Sequence, residues 1–97
     1  MKEINMVLLI SYDLNGHESP GAYAAVEAVI KRRCPGNASN KPLYSQWLVD
    51  TSLSPQTWRD ELKAAADSND NIFVTGVTSN YAAYLPQSSI DWLKVHM

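Results

Sequence analysis

The chain has 97 residues, of which 45% are hydrophobic and 19% are charged. This balance predicts one globular domain and excludes a disordered chain. Eight basic residues against ten acidic ones give a formal net charge of −2, so the overall basic excess typical of nucleic-acid-binding domains is missing. The single cysteine, Cys34, excludes an intrachain disulfide, and with two distant histidines it forms no zinc-binding pattern.

The first predicted element is a strand. Residues 6–10 are a continuous run of apolar, mostly branched side chains, which is typical of a strand buried on both faces at the centre of a sheet. Residues 11–14 continue this strand, and the Asn-Gly pair at 15–16 predicts a turn. Because the apolar run is too short for a signal peptide or a membrane span, we expect a cytoplasmic protein without a membrane partner.

Two helices are predicted from repeated start signals. The Ser-Pro pair at 19–20 offers a capping serine and a proline in the first turn, and apolar residues at helical spacing follow it. Basic residues at 31–33 and the Pro-Gly pair at 35–36 end this helix. The Ser-Pro pair at 54–55 begins a second amphipathic helix, whose apolar stripe includes Trp58.

The segments between and after the helices favour strands. Residues 43–51 predict either one bent strand or two short strands that meet near Ser45-Gln46. Pro42 cannot donate a backbone hydrogen bond, so it must lie in an edge strand or at the start of a strand. Residues 72–78 predict the last strand, because they are apolar and β-branched and follow a polar loop.

A short tail is predicted after that strand. Its apolar piece at 81–85 is broken by Pro86, and Ser88 or Ser89 then caps a last helical turn or two. The order of elements predicts an α+β fold, a ferredoxin-like β-α-β-β-α-β sandwich with a short C-terminal extension. We expect residues 1–97 to form one domain, with a core at about 4–80 and a tail at about 81–97.

Asp13 is the carboxylate with the clearest chemical potential. It lies at the C-terminal end of a buried strand, and ligands often gather beyond the carboxyl ends of strands. Its carboxylate is a ligand type that Mg²⁺ prefers, and two copies across a dimer axis would make a better site than one. The alternative is that Asp13 caps the turn at 15–16 by accepting backbone N–H groups.

Three further groups are candidates for chemistry. His17 lies in the same loop as Asp13 and could act as a general base, or it could be an exposed loop histidine. Ser45 is a weaker candidate nucleophile, because no acid or histidine adjoins it in sequence. The basic residues Lys31, Arg32 and Arg33 could contact nucleic-acid phosphates, or they could complement the dipole of a helix end.

Several short motifs, taken in order, resemble a known family. They are the Ser-Tyr-Asp-Leu end of the first strand at 11–14, the Ser-x-Trp-x-Val-Asp-Thr stretch at 45–51, the Trp-Arg-Asp-x-Leu helix segment at 58–62, and the tail motifs at 85–87 and 91–94. This pattern resembles the small CRISPR-associated adaptation proteins of the Cas-two family and their VapD-like and SinR-like relatives. The SinR-like group is the more similar one.

The resemblance implies a ferredoxin-like fold that pairs into a homodimer through its sheets. It also implies that Asp13 is the Mg²⁺ ligand of a nuclease site, and that Ser45 matches a serine of the family's middle hairpin. The expected function is therefore a small dimeric protein that associates with RNA or DNA, as a Mg²⁺-dependent endonuclease if it is an enzyme. The alternative is a non-catalytic dimeric adaptor that engages a protein partner.

Overall fold

A computed structural model describes residues 5–14, 20–66 and 70–97 of the chain, with only the backbone for 20–22. Within these ranges the chain forms an α+β fold of four strands and three α-helices. The elements are β1 (Met6–Asp13), α1 (Pro20–Arg33), β2 (Ser39–Leu43), β3 (Gln46–Thr51), α2 (Pro55–Ala64), β4 (Asn71–Gly76) and α3 (Gln87–His96). A single 3-10 turn, Gly36–Ala38, connects α1 to β2.

The four strands make one antiparallel sheet in the order β2-β3-β1-β4. The central position predicted for β1 is confirmed, because β1 pairs with β3 on one side and with β4 on the other. Leu8, for example, lies opposite Val49 of β3 and Gly76 of β4. The apolar run of β1 follows from its coverage, since residues of α1 and α2 pack against one face of the strand and residues of α3 pack against the other.

Two strands, rather than one bent strand, form in this region, but the first begins earlier than predicted. β2 starts at Ser39, and only its last residue, Leu43, lies within the predicted segment 43–51. A turn at residues 44–45 separates β2 from β3, as the polar Ser45-Gln46 pair suggested. Pro42 lies in β2, which is an edge strand, so the prediction for this proline is confirmed. The pairing of β2 with β3 shifts register between Asn40 and Leu43, around a residue that cannot donate to the ladder.

One face of the sheet, here called the helical face, is covered by α1 and α2. Alternate residues of β1, among them Leu8, Ile10 and Tyr12, belong to the core on this side. The predicted second helix supplies Trp58, which is fully buried and whose Nε1–H donates to Thr51 Oγ1 at 3.2 Å. The predicted helix beginnings at Pro20 and Pro55 are confirmed, and Ser54 caps α2, whereas Ser19, the predicted cap of α1, lies outside the described residues.

The opposite face, here called the open face, is only partly covered. Val7 and Leu48 of the sheet pack there against Trp92 and Leu93 of α3. The helix is also held by polar contacts, because Trp92 Nε1–H donates to the Asn37 carbonyl at 2.7 Å. The rest of this face, toward the carboxyl end of β1, carries no helix among the described elements.

The third helix is longer than the helical turn or two that the sequence predicts. It begins at Gln87, with Pro86 at the N-cap position, so neither Ser88 nor Ser89 caps it. It continues to His96 because Ser89, Trp92 and Leu93 share a buried stripe that packs on the open face. No helix in the described part of the chain is long and apolar enough to cross a membrane.

Candidate functional site at the carboxyl end of β1

Asp13 is the last residue of β1 and its side chain is exposed. It lies opposite Asn71, the first residue of β4. Because side chains alternate along a strand, Asp13 shares the open face with Leu9 and Ser11, while Tyr12 and Leu14 face the helices. The aspartate that the sequence singled out therefore lies at a solvent-accessible corner of the open face.

Ser45 comes to the same end of the sheet. The backbone N–H of Tyr12, the neighbour of Asp13, donates to the Ser45 carbonyl at 3.1 Å. This contact extends the pairing of β1 into the turn between β2 and β3. Asp13 and Ser45, distant in sequence, are therefore brought to one edge, but no hydrogen bond joins their side chains in the described structure. His17, the predicted general base, lies outside the described residues.

A small depression adjoins Asp13. It has a volume of about 180 Å³ and is lined by residues 11–13 of β1 and residues 71–73 of β4. Ser11 also receives a long hydrogen bond from Gln46 Nε2, at 3.5 Å. The donor atoms around Asp13 are therefore oxygens and amides, a set that suits a hard cation such as Mg²⁺ better than a soft one.

One chain alone does not complete such a cation site among its described residues. They contain no group of three or more His, Cys, Asp or Glu side chains able to hold a metal ion. Asp13 would contribute one carboxylate, with the Asn71 amide as its cross-strand neighbour. The chemistry of the donors fits Mg²⁺, and a second Asp13 carboxylate from another copy of the chain would make a stronger site than the described residues of one copy.

Beside this polar corner, the open face becomes strongly apolar. A groove of about 420 Å³ runs between the sheet, the extended segment 77–85 and α3. Leu9, Leu48 and Tyr81 are among its lining residues. Tyr84 lines the groove and is fully exposed, while Phe73 of β4, which is 63% exposed, lines the depression beside Asp13. Surfaces of this kind mark interaction sites more often than plain solvent-facing surface.

The three basic residues predicted as nucleic-acid contacts have different environments. Arg33 is held by Glu61 of α2 through two hydrogen bonds of 2.8 Å. Its guanidinium therefore links α1 to α2. Arg32 is exposed. Lys31 lies against the indole ring of Trp47, with its Nζ 6.0 Å from the ring centroid.

Two polar clusters were not predicted from the sequence. In the first, the Tyr12 hydroxyl accepts from Trp47 Nε1–H at 3.2 Å and donates to Glu27 Oε2 at 3.3 Å, and Glu27 also pairs with Lys41. Burial raises the pKa of the Tyr12 hydroxyl well above its usual range, and the nearby Glu27 charge adds to this effect. The sequence signal for this cluster was Lys41, because a lysine next to Pro42 is typical of an edge strand.

The second cluster joins α3 to the sheet. His96 Nδ1 lies 2.6 Å from Asp50 Oδ2, and the His96 ring stacks on Trp92 with centroids 4.0 Å apart. His96 and Asp50 are widely separated in the sequence, so no local pattern predicts their contact. Their contact fixes the last turn of α3 over the open face.

Comparisons with known proteins give this chain no family. Neither a scan against protein-family models nor a search of curated proteins finds a match. The likeness to the Cas-two family therefore rests on the short motifs alone. What that likeness implies for fold, assembly and chemistry enters below only as a proposal.

Proposed function

We propose that this chain is a ferredoxin-like, homodimeric protein related to the Cas-two family, which associates with nucleic acid and cleaves it with Mg²⁺ held by a pair of Asp13 carboxylates. The strand order supports the fold part of this proposal. A sheet of order β2-β3-β1-β4, with helices after β1 and β3, agrees with the split β-α-β plan. The short α3 would then be an addition to that plan.

The shared face of Asp13 and the apolar groove is the observation that carries the proposal. Burying the groove residues and Phe73 against a second copy would remove apolar surface from water, which is the main driving force of association. In a two-fold dimer each residue of the interface meets the same patch of its partner. An axis near the carboxyl end of β1 would bring the two Asp13 side chains together.

A pair of Asp13 carboxylates would repel each other unless a cation neutralised them. Bound Mg²⁺ would supply Lewis-acid chemistry there, lowering the pKa of bound water and stabilising negative charge on a phosphate. The chain's own contribution is to hold the carboxylates on a rigid central strand. Asn71 and Ser45 at the same edge add an amide and a hydroxyl that could orient a phosphate oxygen.

The test compares Asp13→Asn with the matched variant Asp60→Asn, which changes an exposed carboxylate on α2. Labelled single-stranded RNA and duplex DNA are incubated with each protein, with Mg²⁺ or with EDTA, and the mass in solution is measured by light scattering. We expect wild type and Asp60→Asn to cleave only with Mg²⁺, and Asp13→Asn to remain dimeric without cleaving. Equal cleavage by all three proteins would reject the assignment, since it would indicate a contaminating nuclease.

A non-catalytic dimeric adaptor is the second candidate function. The full exposure of Tyr84 favours it, because a large aromatic ring beside an apolar groove is typical of a surface that receives a protein. The test is deletion of residues 87–97, which removes α3 from the open face. We expect the deletion to abolish dimerisation or partner capture, and unchanged assembly would rule out this version. A clean dimer that neither binds nor cleaves nucleic acid would favour the adaptor over the nuclease.

A further inference from the structure

Two lysine side chains converge on one indole ring at the outer edge of the sheet. Lys31 Nζ lies 6.0 Å and Lys41 Nζ lies 5.9 Å from the centroid of Trp47. Lys31 belongs to the last turns of α1 and Lys41 to the edge strand β2, so the two come from different elements. Both ammonium groups are within the range of cation–π attraction, which favours their positions over the ring.

The converging side chains line an open groove, here called the lysine groove. Its volume is about 540 Å³, within the size range of small-ligand sites. Its walls come from the end of α1, the 3-10 turn and β2, and include Lys31, Lys41, Ser39, Asn40, Gly36 and Trp47. Because Trp47 faces the helices and Asp13 faces the open side, the lysine groove is separate from the Asp13 corner.

The charge of the lysine groove is positive and partly fixed in place. Lys41 forms an ion pair with Glu27, whose Oε2 also accepts a hydrogen bond from the Tyr12 hydroxyl at 3.3 Å. Lys31 has no carboxylate partner in the parts of the chain that the structure describes. The groove therefore presents two ammonium groups against one carboxylate, and exposed Arg32 adds a third cation at the same helix end.

Neutral donors and aromatic surface complete the environment. Asn40 Oδ1 already accepts from Ser89 Oγ at 2.7 Å, which leaves the amide NH₂ group as its donor. Tyr44 is 69% exposed, and its ring centroid lies 5.2 Å from Lys41 Nζ. Phosphate groups are recognised by lysines together with hydroxyl and amide donors, and nucleotide bases stack on exposed aromatic rings.

From this arrangement we infer that the lysine groove binds the phosphate group of a nucleotide, with Lys31 and Lys41 as its cationic contacts. The same chemistry is offered by a free nucleotide and by a nucleotide within a single strand. The site needs neither a metal nor a second copy of the chain. It goes beyond the proposed Asp13 chemistry and does not depend on it.

The experiment is a titration followed by the indole N–H resonances of the three tryptophans, in EDTA. Trp47 lines the groove, whereas Trp58 of α2 is fully buried and serves as an internal reference. The probes are inorganic phosphate, adenosine monophosphate and a short single-stranded RNA. We expect saturable shifts of the Trp47 resonance with little change at Trp58. Tighter binding of RNA would identify strand phosphates as the source, and binding of the mononucleotide alone would identify a free nucleotide.

Matched lysine variants decide whether the groove is responsible. Lys31→Gln removes one cation of the groove, and Lys63→Gln removes a lysine from the last turn of α2. We expect Lys31→Gln to weaken binding about tenfold, and Lys63→Gln to change it less than about twofold. Equal weakening by the two variants would overturn the inference, because it would indicate general charge attraction. So would the absence of a Trp47 shift at about 10 mM ligand. Asp13→Asn should bind as wild type does, which separates this result from the proposed nuclease.

Discussion

The Tyr12 hydroxyl is a buried polar group on the helical face with two hydrogen-bond partners. It accepts from Trp47 Nε1–H and donates to Glu27, so removing it leaves a buried indole N–H without its acceptor. We expect Tyr12→Phe to lower the free energy of unfolding by about 1–3 kcal/mol, measured by urea denaturation. Tyr84→Phe is the control, because the Tyr84 side chain is fully exposed. Equal stability of the two variants would show that the Tyr12 hydroxyl contributes nothing.

Two buried acids give the protein a predictable response to alkaline pH. Burial raises the pKa of the Cys34 thiol, as it raises that of the Tyr12 hydroxyl. In the unfolded chain each group loses its proton first, so the unfolded state gains stability above its ordinary pKa. The free energy of unfolding therefore keeps its full value below about pH 8.5. It falls as the pH rises beyond that, and it falls further above about pH 10.

Thermal unfolding between neutral pH and about pH 11 measures this response. Cys34→Ala should remove the decline that begins near pH 8.5 while it leaves the later decline caused by Tyr12. The variants are compared by the slope of the melting temperature against pH rather than by the melting temperature itself, because deleting a buried thiol also leaves a small cavity. An unchanged slope in Cys34→Ala would contradict the assignment.

At the level of the elements, α2 has a side-chain cap. Ser54 Oγ accepts from the backbone N–H of Thr57 at 3.1 Å and satisfies one free donor of the first turn. We expect Ser54→Ala to lower the free energy of unfolding by about 1 kcal/mol, measured by chemical denaturation. Ser88→Ala is the matched control, since Ser88 is exposed in α3 and caps no helix. A similar loss in both variants would argue against the cap.

The last turn of α3 depends on the contact between His96 and Asp50. His96→Ala removes the Nδ1 contact at 2.6 Å and the stacking on Trp92. We expect amide hydrogen exchange in α3 to accelerate by about tenfold, while exchange in the central strand β1 stays unchanged. Val95→Ala is the control, because Val95 is exposed. Equal protection in the two variants would mean that the apolar contacts of α3 hold it alone.

Local patterns predicted most of these elements because each is encoded by neighbouring residues. The apolar run of β1, the helix starts at Pro20 and Pro55 and the Pro-Gly stop after α1 all appear in the structure at their expected places. The length of α3 was missed for the opposite reason. Its stripe is short, and Trp92 and His96 find their partners in Asn37 and Asp50, far away in the sequence.

The candidate sites also differ in whether neighbouring or distant residues form them. Asp13 could be chosen from sequence because it follows a recognisable buried strand, and strand alternation then gives its face. Lys31 was among the predicted phosphate contacts, but the lysine groove itself could not be predicted, because Lys31 and Lys41 meet only when β2 lies beside the end of α1. A constellation that joins separate elements is specified by the packing of those elements, which a local pattern does not report.

For the whole molecule, the open face should control assembly. We expect Phe73→Glu to convert a dimer into a monomer of 10.8 kDa, because it places a charge within the apolar surface that a second copy would bury. The measurement is mass by light scattering over a range of protein concentrations. Val95→Glu is the control for adding a charge at another exposed apolar residue. A dimer that survives Phe73→Glu would place the interface elsewhere.

The central position of β1 also affects the order in which this protein can fold during synthesis. β1 emerges from the ribosome before both of its partners, and β4 follows only after α1, the β2–β3 pair and α2. The apolar residues of β1 therefore remain unpaired until β3 and β4 have been synthesised. Such distant pairings close slowly because a long loop must first be ordered. The nascent chain thus exposes the apolar run of β1 until its partner strands have been made, and exposed apolar surface of this kind promotes aggregation.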